Sequence, residues 1–164
     1  CRIHDFESCA FNHSATSPFQ PIIPEVYTGS MEDSIFTKII KGQIPCHKIY
    51  EDEHTMAFLD ISPNERGHTL LVPKKQVDKI YELDDETYGH MWQIAKKIAI
   101  HYEATLGHRV TFQVVGIDVP HAHIHIIPYN PVNHPDHAKH AEEKQAGTPD
   151  HESLARTAEM LRLV

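Results

Sequence analysis

Positive charge is scarce in this 164-residue chain: 15 Lys and Arg face 23 Asp and Glu, a formal charge of −8. A net acidic protein is not steered toward nucleic acid or an anionic membrane, which argues against both as general partners. Cysteine is scarce too. Cys1, Cys9 and Cys46 are odd in number with no paired spacing, so a disulfide scaffold is excluded and a reducing, cytoplasmic setting is expected. No apolar run is long enough to cross a bilayer. The first thirty residues lack the basic start and long apolar stretch of a signal peptide. They also lack helical or strand periodicity, and carry Pro18, Pro21, Pro24 and Gly29. Residues 1–30 therefore read as an extension outside the fold: disordered, vector-derived or translated from upstream sequence. Residues 31–131 read as one domain, and 132–164 as a polar tail ending in a helix.

What the chain has in excess is histidine, 15 residues in all. The stretch "HAHIHIIP" at 121–128 puts His121, His123 and His125 at every second position. On a strand, period two places three imidazoles on one face and Ala122, Ile124 and Ile126 on the other, with Pro128 ending the strand or lying at an edge. Such a row can bind a metal, carry nucleophilic or acid–base chemistry, or be a solvated His-rich face. All three readings remain open at this point. His134, His137 and His140, spaced by three in a polar tract, read as a solvated surface.

The rest of the chain reads as α+β. "DSIFTKIIK" (33–41) has helical spacing with Asp33 or Ser34 as N-cap, stopped by Gly42 and Pro45. Residues 47–52, 54–60 and 68–74 read as three strands, with a loop over 61–67 and a helical turn over 76–83. A long helix over 84–106 begins at Asp84, closes at Gly107, and carries Met91, Ile94, Ala95, Ile98, Tyr102 and Leu106 as one apolar stripe. Residues 109–115 form a fourth strand and the histidine segment the fifth. A helix over 149–163 carries Leu154, Ala158, Met160 and Leu161 near one face. Short connections between the first strands favour one antiparallel sheet, with the long helix packed on one face against Ile124 and Ile126.

"HAHIHII", together with "SIFTKIIKGQIPCHKIYEDEHTMAFLDISPNERGHTLLVPKKQVDKIYELDDET", resembles the histidine triad family. The likeness runs over roughly residues 33–129 of the chain. It implies a homodimer with a five-stranded antiparallel sheet that binds a nucleotide, uses no cofactor, and cleaves bonds to the α-phosphorus. It implies that His123 attacks phosphorus to form a nucleotidyl-histidine intermediate, that His121 and His125 donate to phosphoryl oxygens, and that His68 joins the phosphate site. It implies that Asp60 binds the ribose hydroxyls, and that Ile35, Phe36, Ile39, Phe58 and Ile61 hold the base. On their own, those five residues read equally well as core, and Asp60 as the cap of a loop.

Two departures stand out. Members that bind zinc use a Cys-x-x-Cys before the first helix and a His after the third strand. Here Ser34, Thr37 and Gln76 take those places, and hydroxyls and an amide are poor zinc ligands, so no structural metal is expected. The loop before the triad, "QVVGIDVPH", is short and lacks the family's Asn and Gln. Asp118 falls where a serine or glutamate often sits, and a bare carboxylate there repels a polyphosphate. This favours adenosine or guanosine 5′-phosphoramidates as substrates. The alternatives are a dinucleoside polyphosphate hydrolase and a nucleotide-binding interaction protein with weak catalysis.

Overall fold

The computed structural model describes residues 32–130 and 150–163. The expectations for residues 1–30 and for His134, His137 and His140 lie outside the described residues. The elements run α1 (Ile35–Ile40), β1 (Lys48–Glu51), β2 (Thr55–Leu59), β3 (Thr69–Pro73), a 3₁₀ turn (Ile80–Glu82), α2 (Asp85–Leu106), β4 (Arg109–Gln113), β5 (Ile124–Tyr129) and α3 (His151–Leu161). Local chemistry sets the helix ends. Asp84 accepts from Thr87 N–H at 2.8 Å, and Asp85 and Glu86 lie in the positive first turn. Gly107, at φ 70°, sends its N–H to Glu103 O at 3.0 Å and closes α2 in the left-handed conformation. Ser34 caps α1 by accepting from Thr37 N–H.

The five strands form one antiparallel sheet in the order β1-β2-β3-β5-β4. The expected α+β fold is observed. β5 lies between β3 and β4, so the histidine segment enters the sheet one strand in from an edge. On one face Met91, Ile94, Ala95, Ile98 and Tyr102 of α2 meet Ile124 and Ile126 of β5, as the helix stripe requires. Leu154, Ala158 and Leu161 of α3 join that same core. The C-terminal helix is therefore part of the core and not an appendage to a polar tail.

The second face of the sheet is covered too: Phe36 of α1 packs with Met56, Phe58, Leu70 and Val72 on the side away from α2. All five residues of β2 and of β3 are buried, as strands enclosed on two faces must be. Other expectations are corrected. First, β5 starts at Ile124, so His121 and His123 sit in the bend before the strand, and the three imidazoles do not form a simple strand row. A further correction is that Pro128 lies inside β5, paired with Val110 of β4. The β3 ladder has ended by then, at Thr69↔Ile126, so the missing N–H of Pro128 breaks no bond on that side. Met160, expected near the buried face, is on the exposed side of α3.

Gly67 shows why the 61–67 loop ends as it does. Its φ is +92°, and a Cβ there would lie 2.9 Å from Leu161 Cδ1 and 3.2 Å from Pro128 Cγ. The left-handed backbone and the close approach of α3 both call for glycine.

Candidate active site

β5, the bend before it, α1 and the 114–119 loop enclose a cavity of about 380 Å³ on the sheet face opposite α2. His123 and His125 line it, with Ile35, Phe36, Ile39, Phe58, Ile61, Asp60 and Asp118. Nine of the sequence-derived site residues thus share one cleft. His68 and His121 do not line it. Sequence reading missed Ile44, Pro45, Cys46, Leu59, Leu70, Val115, Gly116, Ile117 and Val119, which complete the wall. The continuous apolar runs of β2 and β3 were the available signal, since they imply a second packed face. Among the described residues no Lys or Arg lines the cavity.

The tautomer of His123 follows from its one ring hydrogen bond. Nδ1 lies 2.7 Å from the carbonyl oxygen of His121. A carbonyl only accepts, so Nδ1 carries the proton and Nε2 of the neutral ring holds a lone pair. No hydrogen bond among the described residues engages that Nε2. The ring is nearly buried and held by Phe36, edge-on at 5.1 Å between centroids. A neutral imidazole with its lone pair free and its other nitrogen tied back is a prepared nucleophile.

His125 is set by a chain of three residues. Asn64 N–H donates to His68 Nδ1 at 3.1 Å, so the proton of a neutral His68 is on Nε2 and is donated to His125 Nδ1 at 2.9 Å. A neutral His125 then carries its proton on Nε2, as a donor. Its ring centroid is 4.9 Å from that of His123, closer than the roughly 6.6 Å between alternate residues along a strand. His68 therefore acts from behind His125. Asp60 Oδ1 accepts from Ser62 N–H at 2.8 Å, which is the loop-capping role, while Oδ2 lies 3.4 Å from His68 Nδ1. The capping and cavity-lining roles of Asp60 coexist. Asp60, His68 and His125 also bring one potential metal-ligating atom each within 4.8 Å of one another. Of the three, only His68 and His125 share a hydrogen bond, while Asp60 Oδ2 approaches His68 Nδ1 at 3.4 Å.

His121 is wholly buried and spoken for at both nitrogens: Nε2 meets Pro73 O at 2.9 Å, and Nδ1 meets Ser34 Oγ at 2.8 Å. Burial holds its pKa below the ordinary histidine value. The expected donation from His121 to a phosphoryl oxygen does not fit this geometry, because neither nitrogen faces the cavity. Ala122 N–H, bonded to Val77 O at 2.7 Å, fixes the same bend to the segment after β3.

Comparison with known proteins agrees with the fold. A family model described as the HIT domain matches residues 41–132. The protein Hit of Bacillus subtilis is 45% identical over 105 residues, covering 59% of this chain and 71% of that protein. The adenosine 5′-monophosphoramidase of Schizosaccharomyces pombe is 41% identical over 96 residues, covering 57% and 72%. The crystal structure of a Hit-like protein from Bartonella henselae superposes with a TM-score of 0.66 at 30% identity, covering 80% of this chain and 96% of that one.

Proposed function

The chain belongs to the HIT domain family, and from that premise we propose that it hydrolyses nucleoside 5′-phosphoramidates at the α-phosphorus through a nucleotidyl-His123 intermediate. The observation that carries this reading is the open Nε2 of His123 on the wall of a cavity that also holds Asp60. The likeness to an adenosine 5′-monophosphoramidase supports the choice of bond. In the first step the Nε2 lone pair attacks the α-phosphorus and the P–N bond of the substrate breaks, releasing an amine that takes its proton from solvent. In the second, water attacks the phosphorus, gives a proton back to solvent, and the N–P bond to His123 breaks to release the neutral ring. Splitting one displacement into two is the gain of covalent catalysis. The proton on His125 Nε2 offsets charge growing on the phosphoryl oxygens. Asp60 accepts from ribose hydroxyls, and Phe36, Phe58 and Ile61 hold the base. Asp118 on the wall disfavours a polyphosphate leaving group.

The assay pairs an adenosine 5′-phosphoramidate with a diadenosine polyphosphate, each with and without chelator. Release of AMP from the phosphoramidate, unaffected by chelator and at a higher kcat/KM than from the polyphosphate, is expected. The reverse preference, or loss of activity with chelator, overturns the reading.

We infer also that the chain forms a homodimer. β4 is one edge of the described sheet, while β1, the other, accepts a hydrogen bond from Leu163 N–H at Ile49 O, and an exposed edge invites pairing. Beside it Tyr88, Trp92 and Phe112 form a run of edge-on rings at 6.3 and 5.8 Å, with Tyr88 and Phe112 exposed. Solution mass at micromolar concentration should be twice that of the chain; a clean monomer there refutes the dimer.

A further inference from the structure

We propose that Ser34, Thr37 and Gln76 form a metal-free clamp on His121, and that His121 is a positioning residue that sets the tautomer of His123. This rests on the reading that His123 is the nucleophile.

The proton inventory of the clamp can be completed. Pro73 O only accepts, so the proton of neutral His121 is on Nε2 and its Nδ1 must accept. Ser34 Oγ, at 2.8 Å, is the donor, and it accepts in turn from Thr37 N–H at 3.1 Å. The Thr37 hydroxyl donates to Gln76 Oε1. That oxygen also accepts Ser34 N–H at 3.0 Å, while Gln76 Nε2 donates to Glu32 O at 3.1 Å. Three segments distant in sequence are thereby tied together: the start of α1, the stretch after β3 and the bend before β5. Buried polar groups need such partners, and here every one has them.

This donor set does not fit zinc. Two hydroxyls and an amide oxygen are hard, neutral ligands, and the one imidazole lone pair is already used by Ser34. The network supplies the rigidity that a metal would supply. Its effect on chemistry passes through one atom: the carbonyl oxygen of His121 is the acceptor that holds the proton of His123 on Nδ1. If His121 is free to turn, that acceptor shifts, and the Nε2–H tautomer of His123, which has no lone pair for attack, becomes populated.

The test is histidine-¹⁵N NMR of the full chain without substrate, alongside steady-state kinetics on an adenosine phosphoramidate. Wild type should show Nε2–H at His121 and Nδ1–H at His123. Ser34→Ala and Gln76→Ala should give mixed tautomers at His123. In both, kcat should fall about tenfold with KM unchanged within about twofold, as expected when alignment in the transition state and not binding is lost. Ser34→Thr, which keeps the hydroxyl, should restore both readouts. Ser34→Ala also removes the cap of α1. Gln76→Ala therefore decides the matter if the serine variant does not fold. A single Nδ1–H tautomer at His123 in the folded variants, or a rise in KM with kcat unchanged, overturns the clamp. If the tautomers shift as stated while no phosphoramidate is hydrolysed by wild type, the clamp stands and the proposed function falls.

Discussion

His123→Ala is expected to lower kcat on an adenosine phosphoramidate by about 10³-fold or more, roughly 4 kcal/mol of transition-state stabilisation, while AMP still binds. Binding should persist because Asp60 and the apolar wall of the cavity, Phe36, Phe58 and Ile61, are untouched. His125→Ala should cost less, about 10²-fold, since it removes a donor and not the attacking atom. Calorimetric titration with AMP and single-turnover rates on the same preparations separate the two effects. Acid-quenched wild-type enzyme should also carry nucleotide on protein, lost on warming in acid as a phosphorus–nitrogen bond requires. Near wild-type turnover by His123→Ala, or an adduct mapped to another residue, would falsify the mechanism.

Leu161→Ala should destabilise the fold by about 2–5 kcal/mol, read as a lower urea midpoint at unchanged slope. Leu161 is fully buried, sits in the core shared by α2 and β5, and covers Gly67. A shift of only a few tenths of a kcal/mol would mean that α3 is not held against the sheet. The effect on the site would be indirect. Gly67 precedes His68, whose Nε2 bonds His125, so loosening α3 slackens the segment that orients His125.

The local grammar of the chain was enough to place its elements. Asp84 and Gly107 bracket α2, the stripe from Met91 to Tyr102 names its buried face, and short polar turns separate the first strands. These signals are legible because caps and periodic faces depend on residues within a few positions of one another. The triad and the second face of the sheet were legible for different reasons. The first is a run of residues whose chemistry is specific at that spacing. The second is written in the apolar runs of β2 and β3, which are buried along their whole length.

What the sequence could not decide was which partners hold the ring nitrogens of each histidine. His121, His123 and His125 are equivalent as a spacing, and only the fold separates them. The bend before β5 turns His121 into the protein, where Pro73 and Ser34 take both its nitrogens. It leaves His123 with one nitrogen tied to a carbonyl and the other open, and sets His125 against His68, 57 residues away in the chain. Ser34, Thr37 and Gln76 likewise read as missing ligands until tertiary contact joined them to His121. Amino-acid type and spacing determine which groups are present and which faces are apolar. Which proton sits on which ring nitrogen is set by acceptors brought from distant segments, and those exist only once the chain has folded.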